Sequence, residues 1–258
     1  MKRAKETQIA AQLYTLRDYL QTPEDIARTL AKVRKIGYRI VQLSGLGKIE
    51  AKELKRILDG EGLVGNSTHT SLERLRNETG RVIEEHKILG AEYVACPWLP
   101  EEYRNLSGYR KLAKELSGIG KILAKDKITL CYHNHAFEFE KFGKKTGLEI
   151  LYSESNPRYL KAELDTYWVA FGGGDPAAWC LKYSGRLPLV HLKDMVATKE
   201  NTQVYAEIGE GNLNWKSILS ACKKAGAKWY LVEQDVCRRD PLESLRISYR
   251  NLLKLGLK

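Results

Sequence analysis

"YLKAELDTYWVAFGGGDPAAWCLKYSGRLPLVHLKD", residues 159–194, decides the fold. Two short apolar runs, 159–165 and 187–192, flank an amphipathic run at 175–184. In the first run Leu160, Ala162 and Leu164 share one face of an extended chain, and Glu163 and Asp165 share the other, because strand side chains alternate. In "DPAA" Asp175 can cap a helix with Pro176 at its first position, and Gly185 can end it. The second run alternates again, with Val190 and Leu192 on one face and His191 and Lys193 on the other. Strand, helix, strand in this order reads as a parallel βαβ unit.

The unit recurs along the chain. Strands are expected near 8–14, 38–44, 63–69, 91–96, 128–134, 159–165, 187–192 and 228–233. Helices are expected near 23–36, 50–60, 77–89, 108–125, 146–155, 175–184, 214–225 and 241–255. Leu112, Leu116, Ile119 and Leu123 form one apolar stripe, as do Ile26, Leu30 and Val33. Thr22 and Asp240 precede proline as Asp175 does. Eight strand–helix pairs in 258 residues predict an α/β fold, a closed (β/α)8 TIM barrel with a single domain over 1–258. The competitor is a doubly wound open sheet; no GxGxxG follows the first strand, which speaks against a dinucleotide version. The segment 196–211 is long for a connection and is expected to fold over a site.

Composition bounds the function. Hydrophobic residues make up 43% and charged residues 29%, ordinary for a globular chain. No apolar run approaches the ~18 residues of a membrane span, and the start lacks a signal-peptide pattern. The five cysteines show no paired metal or disulfide spacing, which suits a reducing, cytoplasmic setting. The net charge of +11 is scattered over outer helix faces, and reads as a solvated surface rather than a nucleic-acid stripe.

In a barrel of this type the working residues stand at the carboxyl ends of the strands. The third strand ends at His69, the fifth in "CYHNHAFEF", the sixth at Asp165, the seventh at His191 and Lys193, and the eighth at Glu233. Parity turns His133, His135, Asp165, His191, Lys193 and Glu233 inward. Glu138 is out of phase by one residue and reaches the centre only if the strand breaks or bulges near Asn134 or His135. Ionisable groups gathered at one rim repel or desolvate one another unless a cation joins them. A mostly oxygen donor set suits Mn²⁺ or Mg²⁺.

"YHNHAFEF" (132–139), "ELDTYWV" (163–169), "VHLKDM" (190–195), "GEGNLNW" (209–215) and "VEQDV" (232–236) resemble, in order and spacing, the sugar phosphate isomerase/epimerase family of xylose-isomerase-like TIM barrels. The resemblance covers nearly the whole chain. It implies a divalent metal, foremost Mn²⁺ with Mg²⁺, Co²⁺ or Zn²⁺ as alternatives, held by Glu138, Asp165, His191 and Glu233, with Glu140 as the fallback for Glu138. It also implies that Glu138 and Glu233 act as acid and base on opposite faces of a sugar. Related epimerases carry a histidine where this chain has Trp168.

The chemistry expected is removal of a proton α to a carbonyl, through an enediolate, on a ketose or keto-sugar. Return of the proton gives an isomerase or epimerase. Loss of a β leaving group gives a lyase or dehydratase acting on a keto-sugar, keto-glycoside or inosose. His135 and Lys193 are further catalytic candidates, and His69, His133, Trp98 and Trp168 are candidates for binding substrate. A DNA-repair nuclease of the same fold needs more histidines than the five present. The expected partner is a small sugar, with no nucleic acid and no membrane, and with a homo-oligomer possible. "GEGNLN" before a helix can present backbone N–H groups to an anion.

Overall fold

A computed structural model describes residues 8–257; the basic head 1–7 lies outside the described residues. The barrel strands are β1 Ile9–Gln12, β2 Ile40–Leu43, β3 Val64–His69, β4 Tyr93–Cys96, β5 Thr129–His133, β6 Leu160–Asp165, β7 Leu189–Leu192 and β8 Trp229–Val232. They close in sequence order, β8 returning to β1, and every neighbouring pair is parallel. This is the (β/α)8 barrel that the strand–helix alternation predicts.

Helices Pro23–Ile36, Ala51–Glu61, Thr79–Leu89, Leu106–Leu123, Gly147–Glu154, Pro176–Lys182, Trp215–Ala225 and Pro241–Lys254 form the outer ring. Thr22, Asp175 and Asp240 each accept a hydrogen bond from a backbone N–H of the first turn, with proline at the helix start. Two short helices were not expected from the pattern, Leu72–Asn77 and Thr166–Phe171. The second begins where the Asp165 carboxylate caps the Trp168 N–H at 3.0 Å. The long segment after β7 folds as an antiparallel hairpin of Asp194–Ala197 with Gln203–Ala206.

Burial divides by strand parity. Leu130, Tyr132, Leu160, Ala162, Leu164, Val190, Leu192 and Val232 pack with the helices in the main core. Inside the barrel, small and branched side chains such as Ala10, Ala95, Cys131, Leu189 and Leu231 plug the amino-terminal end. Above that plug the interior turns polar. Gln12, Gln42, Glu163, Asp165 and His191 are all fully buried. No helix among the described residues is long and apolar enough to cross a membrane.

Candidate metal centre

Register brings the polar residues together. His133 pairs with Glu163 across β5–β6, and Asp165 with His191 across β6–β7. Glu233 follows the end of β8, beside β7. One ligand atom from each of His133, Asp165, His191 and Glu233 lies within 4.8 Å of the others, and all four residues are buried. His191 Nδ1 is 2.7 Å from Glu233 Oε2 and 3.8 Å from Asp165 Oδ2. His133 Nε2 is 3.2 Å from Asp165 Oδ2.

The other nitrogen of His191 is held from below. Its Nε2 is 2.5 Å from Glu163 Oε1 and 2.8 Å from Gln42 Oε1. Glu163 also meets His69 Nε2 at 2.9 Å and accepts from Gln42 Nε2 at 3.1 Å. A carboxylate bonded to one imidazole nitrogen leaves the other aimed at a metal, which is how outer partners orient histidine ligands. Glu163 is thereby placed to orient His191 toward the cluster, although Glu163, His69 and His191 also bring ligand atoms within 4.8 Å of one another.

Lys193 stands beside the cluster, buried. Its Nζ is 3.1 Å from Asp165 Oδ2, 2.8 Å from Glu233 Oε2 and 2.9 Å from Asp235 Oδ2. Burial opposes its charge, but Asp165, Glu233 and Asp235 outweigh burial and hold its pKa well above the usual lysine range. Burial likewise opposes charge on His191, yet Glu163 and Glu233 raise its pKa to about 10. His133 is pushed well below the imidazole range by burial, then by His191 and His69, and is neutral.

These residues fit a divalent cation. Glu163, Asp165, Glu233 and Asp235 are four carboxylates meeting two cations, Lys193 and protonated His191, so the buried charge is short by two. A divalent ion that displaces the proton on His191 Nδ1 brings the positive charges to three against four carboxylates and cuts that deficit to one.

Glu138 stands elsewhere. It follows β5 in a 3₁₀ turn, Phe137–Phe139, where its Oε1 accepts from the Tyr132 hydroxyl at 2.7 Å and its Oε2 from the His135 N–H at 2.8 Å. Tyr132 points outward from the barrel into the main core, and Glu138 goes with it. The turn after His135 breaks the strand but carries this carboxylate away from the centre, and its place in the donor cluster is taken by His133. Glu140 is exposed at the end of the same turn. Burial raises the Glu138 pKa to about 7 against the pull of its hydrogen bonds.

A cavity of about 560 Å³ opens above the cluster at the carboxyl ends of the strands. His69, His133, His135, Lys193, Glu233 and Trp168 line it, with Trp98 at its mouth. Asp235 lines it too. The sequence reading passed over Asp235, although it sits two residues after Glu233 and so shares its inward parity. Tyr205, from the hairpin after β7, is a further lining residue, so that hairpin does fold over the site.

The "GEGNLN" donors are not open to an anion. Asp194 Oδ2 accepts from the N–H groups of Gly209 at 2.9 Å and Gly211 at 3.1 Å and from Trp215 Nε1 at 2.6 Å; its Oδ1 accepts from Leu213 N–H at 3.2 Å. A Cβ on Gly211 would lie 2.3 Å from the Asp194 carboxylate. The motif is a staple that anchors the hairpin.

The profile of the xylose isomerase-like TIM barrel family matches residues 30–253. The chain belongs to that family. The rhizopine catabolism protein MocC of Rhizobium meliloti is 24% identical over 268 positions, spanning 90% of this chain and 82% of its own. An inosose dehydratase of Clostridium tetani is 28% identical over 154 positions, and the match spans about half of each chain, 52% of this one and 50% of the other. A crystal structure of a sugar phosphate isomerase/epimerase from Parabacteroides distasonis superposes with a TM-score of 0.80 at 24% identity, over 98% of this chain and 95% of that one. At that identity the structural likeness speaks for the fold alone. Family membership places the chain in an enzyme superfamily and leaves the reaction class to the site.

Proposed function

We propose that the protein is a divalent-metal-dependent enzyme that removes the proton α to the carbonyl of a polyhydroxylated keto compound, and that β-elimination is the outcome its residues suit best. The observation that carries this reading is the buried convergence of Asp165, His191, Glu233 and His133 under a cavity that Lys193 and Asp235 also face. A divalent cation held by those four residues would polarise a substrate carbonyl and stabilise the negative charge that develops when the proton leaves. Two imidazoles in the set favour Mn²⁺ over Mg²⁺, which prefers oxygen.

The protein's own groups do the rest. Glu233 and Asp235, on successive inward positions, are the carboxylates at the cavity wall and the candidates to accept the proton. Lys193 lies between them as the donor to a departing oxygen. His69, His135 and Trp168 bind hydroxyl groups of the substrate.

Epimerisation and isomerisation share the same intermediate, but epimerisation returns the proton from the opposite face. The carboxylates at the cavity come from one strand end. The far wall offers His133 and His135, both kept neutral by burial, and Glu138 has turned away. The inosose dehydratase among the relatives supports elimination; the isomerase/epimerase reading rests on His135 serving the far face.

The test is incubation with Mn²⁺ in D₂O and a panel of ketoses, 3-keto-sugars and inososes, read by NMR. Deuterium at the α carbon with an unsaturated ketone product is the expected result. Exchange with inverted substrate and no unsaturated product would shift the assignment to an epimerase. Absence of exchange across the panel, with Asp165→Ala binding Mn²⁺ as well as the wild type, would sink the proposal.

A further inference from the structure

The outer helix layer holds two thiols in contact. Cys180 lies on helix Pro176–Lys182 and Cys222 on helix Trp215–Ala225, 42 positions apart. Both are buried and free. The Cys222 thiol donates to the Cys180 sulfur, with the two Sγ atoms 3.5 Å apart. The other cysteines stand elsewhere. Cys131 is in the plug inside the barrel. Cys96 Sγ donates to the Trp98 carbonyl at 3.7 Å, and Cys237 Sγ to the Gln234 carbonyl at 4.0 Å.

The seam between the two helices is built for close approach. Small residues fill much of its buried face: Ala177 and Cys180 on one helix, Ala221, Cys222 and Ala225 on the other. The distance between helix axes follows the size of the side chains at the contact. Just past the cysteines the backbones themselves meet, where the Gly185 N–H donates to the Ala225 carbonyl at 2.9 Å. Gly185 does so at φ +76°, a conformation open to glycine without strain. A disulfide needs its sulfurs ~2.05 Å apart, so an approach of about 1.5 Å completes the bond.

We propose that Cys180 and Cys222 are a redox modification site, joined as an intramolecular disulfide by exchange with a small organic disulfide. The atoms balance. The Cys180 thiolate attacks one sulfur of RS–SR and releases RS⁻, which takes up the proton that Cys180 lost. The Cys222 thiolate then attacks the Cys180 sulfur and displaces the second RS⁻, which takes up the proton of Cys222. Two cysteine thiols are oxidised, and one small disulfide is reduced to two thiols. In the closed fold the hydrogen bond from Cys222, then burial, hold the Cys180 thiol well above the usual range. Attack therefore waits on opening of the short helix Pro176–Lys182, because the thiolate is the nucleophile.

The effect of the bond follows from what it brackets. Strand β7 with His191, and the hairpin after it, lie between the two cysteines. A cross-link that closes a loop of this length restricts the unfolded chain and stabilises the fold. It does so from the outer layer, without touching the cavity.

The test is equilibration of the whole protein with oxidised glutathione in urea below its unfolding midpoint. Thiols are then counted in denaturant, and the peptides are mapped by mass spectrometry. The count is expected to fall from five to three, with residue 180 linked to residue 222. Calorimetry is expected to show Tm higher by roughly 5–15 °C than in the reduced protein, and dithiothreitol to reverse the rise. Cys180→Ala and Cys222→Ala should each abolish the glutathione-dependent shift; if one variant fails to fold, the other serves, and the wild-type thiol count and peptide map decide in any case. Five thiols remaining even after refolding in oxidised glutathione would overturn the site. So would a link to Cys96, Cys131 or Cys237, glutathione retained on Cys180, a bond that leaves Tm unchanged or lowers it, or a shift that persists in the alanine variants.

Discussion

The two halves of the barrel rim are built from different chemistry. The half from β5 to β8 carries the charge: Glu163, Asp165, His191, Lys193 and Glu233, all buried, with the neutral imidazole of His133 among them. The half from β1 to β3 carries neutral dipoles: Gln12, Gln42 and Ser44, with His69 bridging to Glu163. An ion bound equally by all eight strands would need charge all around. Here the charged half offers the candidate donors, and the neutral half reaches one of them, His191, through Gln42, which bonds both His191 Nε2 and Glu163. The lesson is a division of labour between holding an ion and aiming its donors.

The sharpest break of this comparison is on the charged side. Asp165→Ala removes a proposed ligand and also the cap on Thr166–Phe171. Mn²⁺ binding by titration calorimetry and α-proton exchange are both expected to vanish, a loss beyond the ~10–100-fold typical of outer partners. Mn²⁺ affinity near the wild-type value would remove Asp165 from the ligand set.

Glu138 tests where the charged half ends. Burial lifts its folded pKa to about 7 from the ordinary glutamate value of 4.5. The sign follows from the raised value. Its contribution to stability is fully present below 4.5, where folded and unfolded states are both protonated, and is lost as pH rises through 7. The loss comes to roughly 3 kcal/mol. Glu138→Gln should therefore flatten the stability–pH curve between about pH 4.5 and 7, read by urea titration at several pH values, while Mn²⁺ affinity holds within threefold. Loss of the metal in Glu138→Gln would restore the glutamate to the centre.

These two residues also show how far the sequence could be read. Asp165, His191 and Lys193 were legible because they lie on or just past strands, where alternation fixes which way a side chain points, and the outward partners Leu164, Val190 and Leu192 left no choice of face. Glu138 was not legible, because it lies past the strand in a turn where alternation no longer applies, and its hydrogen bonds to Tyr132 and the His135 N–H decide its direction. Asp194 was hidden for a different reason. Its partners are backbone N–H groups 15 to 19 residues downstream, and nothing in the spacing of "GEGNLN" says which carboxylate fills it. The eight strands and their capped helices were legible almost throughout, since period and caps are local signals.

Glu163→Gln moves the test to the seam between the halves. A carboxamide keeps the shape but gives His191 Nε2 a weaker acceptor, and Mn²⁺ affinity is expected to fall ~10–100-fold. Measurement by titration should show unchanged stoichiometry. A change in stoichiometry would mean that Glu163 is itself a ligand, with His69 and His191.

The smallest effect is expected on the neutral side. Gln12 Nε2 donates to Gln42 Oε1 at 2.5 Å, and Gln12 Oε1 accepts from the Tyr14 N–H at 3.1 Å. It touches no ligand directly. Gln12→Leu removes these two hydrogen bonds and the contact of Gln12 Nε2 with His69 Nδ1 at 3.3 Å, each worth about 0.5–1.5 kcal/mol net, so stability should drop by about 1.5–4.5 kcal/mol. Mn²⁺ affinity should drop less than tenfold, because Gln42 keeps its contacts to Glu163 and His191. If Gln12→Leu weakens Mn²⁺ as much as Glu163→Gln does, orientation is transmitted through the whole amide relay. The two halves then act as one bonded unit, in which the position of His191 is set as much from β1 as from β6.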